Sequence, residues 1–420
     1  MNIARKKVDW YSVRIVIAFF LGILFVYAHG IDFDAEAVER KLITLDKEPS
    51  KASFLIITTI VLFILYSKKT KIDFGIAHNY KLWGLFFLVV LALAFLRGNI
   101  EGDITNFGTI LFSYLMLFAL LRHTYRIRFS VLEDCFILLS VVLLMICVVF
   151  HVLQGHRILF FPDRSVGNFE RLGGMFYYAH TGAIAGITLL FSLIKYRKEK
   201  KLKYALAGVF SLLVLLATDT RSAWFATLFS VFFIFLKNIK FYKLFLLLIG
   251  IYFLAMFVPA WLGITSSLGA AEDDTNFRTQ IWLFTLGIAA QNLLTGYGSA
   301  EPLKNNNFAL HNNLNDPHNS IISLLLQSGL IVVILYFFIF AKNSIACNKR
   351  FNKDYRFLYF FWFFFPFFWG GIFNHLSNFL SMYMMFSLYA FSLNPNSVHA
   401  GNMIQSPEKM KAKNREVYAS

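Results

Sequence analysis

From Val131 to His151 the chain reads VLEDCFILLSVVLLMICVVFH, and after Asp134 nothing charged interrupts it before the closing histidine. A hydrocarbon core about 30 Å thick is crossed by about 20 residues of helix, so this run has the length and apolarity of a membrane span. Similar runs fall at Ile15 to Ile31, Ala52 to Ser67, Leu82 to Leu96, Phe107 to Leu121, Met175 to Ile194, Tyr204 to Thr218, Ser222 to Leu236, Leu244 to Leu262, Asn319 to Ala341, Phe357 to Phe373 and Asn378 to Leu393. Together they predict an all-α polytopic membrane protein with about twelve transmembrane helices. The composition agrees, because 58% hydrophobic and 15% charged residues over 420 positions leave too little polar surface for a water-soluble domain. The first run is too long, and its exit too acidic, for a cleaved signal peptide.

The net charge of +16 is distributed between the apolar runs in alternating connectors. One set carries Arg5 to Lys7, Lys68 to Lys71, Arg122 to Arg128, Lys195 to Lys203, Lys237 to Lys243, Lys342 to Arg356 and Lys409 to Arg415, which is most of the 40 Lys and Arg. The positive-inside rule puts these connectors, and with them both termini, in the cytoplasm. Such interleaving is unlike the single basic face of a nucleic-acid binder, so no nucleic-acid partner is expected. Sixteen of the 24 acidic residues fall on the other side, eleven of them in the connector from Asp32 to Glu48 and the longest one, Gly263 to Pro317. That longest connector contains a helix-like stretch, Asn276 to Leu294, expected to lie on or against the outer membrane surface. Cys135, Cys147 and Cys347 form neither a disulfide framework nor a metal-ligand spacing.

On the outer side Arg97, Arg157, Arg164, Arg171, Arg221 and Arg278 sit near helix ends or beside apolar runs. Arginine near membrane depth is costly, about 2.5 to 3.5 kcal/mol at a helix centre, and several together point to a shared anion. A phosphate group fits, since the planar guanidinium matches its oxygens two at a time. Arg221 follows a very short outward turn, Thr218-Asp219-Thr220, where it either meets such an anion or pairs with Asp219. Arg278 opens the amphipathic stretch. Arg171 precedes Gly173-Gly174, which read either as a place for close approach of backbone to ligand or as a turn before a helix. His318 follows Pro317 and begins the helix that includes Asn319, where the positive dipole end keeps an imidazole neutral and able to accept a proton. His311 and His180 are weaker candidates for substrate contact. No metal site is expected: the histidines have no carboxylate at ligand spacing, and Glu272-Asp273-Asp274 reads as a solvated loop. No Ser-His-Asp order, phosphate-cradling loop or paired intramembrane carboxylates of a proton relay is evident, so no cofactor is called for.

Four patches in order resemble the O-antigen ligase and polymerase superfamily of bacterial inner-membrane glycosyltransferases, which also includes protein O-oligosaccharyltransferases. They are Arg171-Leu172-Gly173-Gly174; Thr218-Asp219-Thr220-Arg221-Ser222-Ala223; Phe277-Arg278 through Trp282, ending in Gly296-Tyr297-Gly298; and Pro317-His318-Asn319 with nine residues before Gly329. The family often has Gly, Thr or Tyr three positions after that glycine, and Val332 stands there in this chain. The resemblance covers about Arg171 to Ala341. It implies a GT-C-like fold with a large periplasmic loop between helices 9 and 10. The organisation expected is N-terminal helices over 1–170, a ligase-like core over 171–341 with its periplasmic loop at 263–317, C-terminal helices over 342–393, and a cytoplasmic tail over 394–420. It also implies the activity: transfer of a glycan from undecaprenyl pyrophosphate to a sugar hydroxyl of lipid A-core, on the periplasmic side of the bacterial inner membrane. In that reading His318, Arg221 and Arg278 are catalytic, Arg171, Asn319, His311 and His180 contact substrate, and membrane lipids surround the protein.

Three rivals remain on sequence. A polymerase lengthening repeat units on the lipid carrier tends to show Arg-x15-Gly in two outer loops; Arg157 and Gly173 match, whereas Arg278 is followed at that spacing by Leu294. A protein O-oligosaccharyltransferase would use a protein hydroxyl as acceptor. A lipid-linked-oligosaccharide transporter would line a central cavity with arginines from both halves, but the strongest cases, Arg171, Arg221, Arg278 and His318, fall in the second half or at its edge.

Overall fold

A computed structural model describes residues 31–32, 44–45, 77–97, 129–160, 171–174, 176, 178–235, 274–298, 319–350, 355 and 357–368. Their helices are α1 (Ala77–Arg97), α2 (Phe129–Leu153), α3 (Tyr178–Glu199), α4 (Leu202–Ala217), α5 (Arg221–Phe235), α6 (Asp274–Gln291), α7 (Ser320–Arg350) and α8 (Phe357–Phe368). Each matches an apolar or amphipathic run expected from sequence. The expected helices beginning at Ile15, Ala52, Phe107, Leu244 and Asn378 lie outside the described residues. A two-residue antiparallel pair, β1 (Ile31–Asp32) with β2 (Thr44–Leu45), departs from the all-α expectation within the acidic connector; Ile31 faces Leu45 and Asp32 faces Thr44.

Val131–Leu153, Tyr178–Glu199 and Ser320–Ile339 are long and apolar enough to cross a bilayer, and this is a membrane protein. Helix α7 runs past the expected end at Ala341 to Arg350, so part of the basic connector is helical.

Helix α3 is the centre of the packing. It is buried along nearly its whole length and is flanked by α2, α4, α5 and α8. Its first half is built from Ala179, Thr181, Gly182, Ala183, Ala185 and Gly186, small residues that let neighbouring backbones come close where no hydrophobic drive acts between helices in lipid. Aromatic side chains fill the other half. Phe191 packs against Phe136 with ring centroids 5.1 Å apart, and edge-on against Phe357 at 5.4 Å.

The ends of α2, α3 and α4 nearest the basic connectors carry a buried ionic cluster. Lys195 lies 3.2 Å from Glu133, 3.1 Å from Asp134 and 2.8 Å from Glu199, while the Tyr204 hydroxyl donates to Asp134 at 2.7 Å. Sequence reading did not single out Glu133 and Asp134 as partners of Lys195; the signal was their position in an otherwise uncharged run, with Lys195 four residues before Glu199. Lys195→Met strands the buried Glu133 without its nearest cation and is expected to cost about 3 to 5 kcal/mol, read as a lower unfolding temperature in detergent. Lys203→Met removes an exposed ammonium 3.5 Å from Asp134 and should cost under about 1 kcal/mol.

Candidate functional site

At the opposite end of these helices the segment 171–174 lies against the turn between α4 and α5. The backbone N–H of Leu172 donates to the Ala217 carbonyl at 3.1 Å, and the Thr181 hydroxyl donates to the Gly173 carbonyl at 2.7 Å. Gly174 is the tightest point, because a Cβ there would run into the Cys147 carbonyl of α2. The close approach that the paired glycines permit is therefore to the chain's own backbone, which decides for the turn and against a ligand cradle at Gly174. Gly174→Ala forces α2 and this segment apart and is expected to cost about 1 to 3 kcal/mol, visible as a drop in thermal stability.

The α4–α5 turn is correspondingly rigid. Asp219 takes a left-handed conformation (φ 43°), which Asp tolerates better than most residues. The Thr218 hydroxyl donates to Leu215 at 2.8 Å, the Trp224 indole donates to the same carbonyl at 2.8 Å, and the Thr220 hydroxyl reaches the carbonyls of Thr218 and Tyr178 at 3.2 and 3.3 Å. This turn orients two arginines differently. Arg171 is held, its guanidinium 3.6 Å from the Asp219 carboxylate and 4.8 Å from the centre of the Tyr178 ring. Arg221 stands exposed at the first position of α5, where the unsatisfied N–H groups and positive dipole end of the helix add to its charge. Two of the sequence patches thus form one structural unit, with Asp219 as the residue that joins them. Sequence reading offered Asp219 to Arg221; the carboxylate lies against Arg171.

His180 is buried in the first turn of α3. Asn319 caps α7: its side-chain oxygen accepts from the backbone N–H of Ile321 at 3.0 Å and of Ile322 at 3.2 Å, satisfying donors that a helix start leaves orphaned. In the Pro-His-Asn patch the asparagine therefore secures the helix start that directly follows His318. His318 and His311 lie outside the described residues, as does the side chain of Arg278, whose backbone is in the first turns of α6. Among the described residues no group of three or more His, Cys, Asp or Glu is arranged to hold a metal ion.

The other two patches also meet. After α6 the chain turns through Gly296 (φ 66°) and Gly298 (φ 82°), and this segment is bonded to residues 326–330 of α7. Gly329 is the tenth residue of the candidate span Ser320–Ile339. The helix expected to lie on the outer surface thus has its carboxyl end tied to the middle of a membrane helix. The physical reason is its composition, since Arg278, Thr279 and Gln280 are confined to its first half and Trp282–Gln291 is apolar.

Residues 205–337 match a family model described as O-antigen ligase. No curated protein matches the chain.

Proposed function

With residues 205–337 belonging to the O-antigen ligase and polymerase superfamily, we propose that this membrane protein is an inverting glycosyltransferase. It moves a glycan from undecaprenyl pyrophosphate to a sugar hydroxyl of lipid A-core at the periplasmic face of the bacterial inner membrane, with both termini in the cytoplasm. The observation that carries this reading is Arg221, exposed at a helix start on a turn braced by the Arg171–Asp219 pair. An exposed guanidinium at the positive dipole end of a helix suits a diphosphate, and charge that develops on the departing diphosphate is the charge to be stabilised.

In the proposed step the acceptor oxygen attacks the anomeric carbon as the bond from that carbon to the diphosphate oxygen breaks. Arg221 and Arg278 hold the leaving undecaprenyl diphosphate, and His318 takes the acceptor's proton. The developing charge is met by guanidinium groups, so the step as proposed uses no metal. Arg171 acts with them through Asp219, and its substrate contact is of shorter reach than that of an unpaired arginine. Asn319 holds the start of α7 behind His318, while His180 and His311 border the acceptor. Holding two lipids in one site contributes through orientation. A donor that carries its own leaving group also suits a compartment without nucleotide sugars.

Purified protein incubated with lipid-linked glycan and lipid A-core, without nucleotide, is expected to yield glycan attached to core. Lengthened glycan on the lipid pyrophosphate would make the protein a polymerase, glycan on an added protein acceptor an oligosaccharyltransferase, and the absence of any covalent product a carrier.

A further inference from the structure

Helix α7 is broken at Gly329, where φ is 77° and ψ 175°. In an unbroken helix the N–H of Leu330 would bond to the carbonyl of Leu326, and that of Ile331 to Gln327. Here the Leu330 N–H donates to Leu293 at 2.8 Å, while the carbonyls of Leu326 and Gln327 accept from Tyr297 at 2.8 Å and Gly298 at 2.7 Å. Three bonds to the α6 exit thus occupy the Leu330 N–H and the carbonyls of Leu326 and Gln327 at the break. Irregular backbone at membrane depth is tolerated only where protein covers it, and Gly296 and Gly329 are both buried. The two glycines press on each other: a Cβ on Gly296 would lie 2.6 Å from the Gly329 nitrogen, and one on Gly329 would strike the Leu294 carbonyl. Asn292 braces the α6 side, its amide donating to the Gly296 carbonyl at 2.7 Å while its oxygen accepts from Thr295 at 2.8 Å.

We infer that this backbone clasp, formed by residues 292–298 on the break at Gly329, fixes α6 against α7 and so sets where Arg278 stands relative to the α7 start. Asn292, Gly296 and Gly329 are then positioning residues. The inference rests on the glycosyltransferase reading for its functional half, and on backbone geometry for its structural half. Arg278 is about 20 Å along α6 from the clasp, and the start of α7 is about 15 Å from it, at 1.5 Å per residue. A tilt of only about 3° at the clasp moves Arg278 by about 1 Å, and a misplacement of that size can lower a rate about 100-fold.

The test uses full-length protein in lipid nanodiscs, with Cys135, Cys147 and Cys347 replaced by Ser and spin labels placed at Leu283→Cys on α6 and Ile334→Cys on α7, both exposed. Wild type should give one narrow distance distribution. Gly329→Ala should broaden it and lower kcat about 100-fold with the donor KM unchanged, and Asn292→Ala, which leaves the backbone path open, should do the same by about 10-fold. Gly287→Ala, where an added Cβ meets nothing within 4 Å, should change neither measurement. An unbroadened distribution in both Gly329→Ala and Asn292→Ala overturns the clasp, and broadening with wild-type kcat overturns its positioning role. If Gly329→Ala does not fold, Asn292→Ala alone decides. If the wild type transfers no glycan, the glycosyltransferase reading fails, and the distance distributions still decide whether the clasp fixes α6.

Discussion

His318→Ala is expected to abolish glycan transfer while leaving the protein's abundance in the membrane unchanged. A positioned base contributes about 10²- to 10⁴-fold, and the adjacent Asn319 side-chain oxygen, engaged by Ile321 and Ile322, is no substitute for it. Folding should be spared, since the cap that starts α7 is supplied by Asn319 and not by the histidine. Measured on purified protein, the effect should appear in kcat with donor binding retained. Near-normal transfer by His318→Ala would remove the residue from the proton-transfer role and leave the arginines to carry the reaction alone.

Arg221→Lys is the second large effect. The substitution keeps one positive charge at the first position of α5 but replaces a planar fork by a point charge, so two-oxygen contact with a diphosphate is lost. A fall of about 10²-fold in kcat is expected, comparable with the loss of one donor from a preorganised site for developing charge. Stability should hardly change, because Arg221 is exposed and the turn behind it is held by Thr218, Thr220, Trp224 and the Arg171–Asp219 pair. Full activity in Arg221→Lys would mean that the side chain only reaches for the interface. Asp219→Asn is the informative companion: it frees Arg171 without touching Arg221, and a loss of transfer there would show that bracing, and not cation count alone, matters.

Much of this was legible in one dimension. The burial of apolar side chains in lipid depends on local composition, so the runs at Val131, Met175 and Asn319 marked helices to within a few residues of their observed starts. The short turn at Thr218 to Thr220 and the helix start at Asn319 were equally visible, because capping and tight turns use residues adjacent in the chain. Gly173, Gly174, Gly296 and Gly329 were visible as glycines but not as contacts. A glycine announces that something comes close or that the backbone bends; it does not say what approaches. At Gly174 the neighbour is Cys147 of another helix, and at Gly329 it is the exit of α6. The same limit explains why the sequence, which put α6 on or against the outer surface, did not show its tie to α7: the amphipathic first half was visible, whereas the bonds that join its end to mid-span link carbonyls and amides about 30 or more residues apart.

Sequence by itself determined that this is a membrane protein, where its described helices run, and which arginines and histidine are candidates for the chemistry, since each depends on the transfer cost and chemistry of residues close in the chain. Only the tertiary structure decided that Asp219 braces Arg171, that Lys195 gathers Glu133, Asp134 and Glu199, and that Leu326, Gln327 and Leu330 exchange helix bonds for bonds to residues 293–298. Those pairings join groups distant along the chain, and which donor meets which acceptor is settled by how the helices pack.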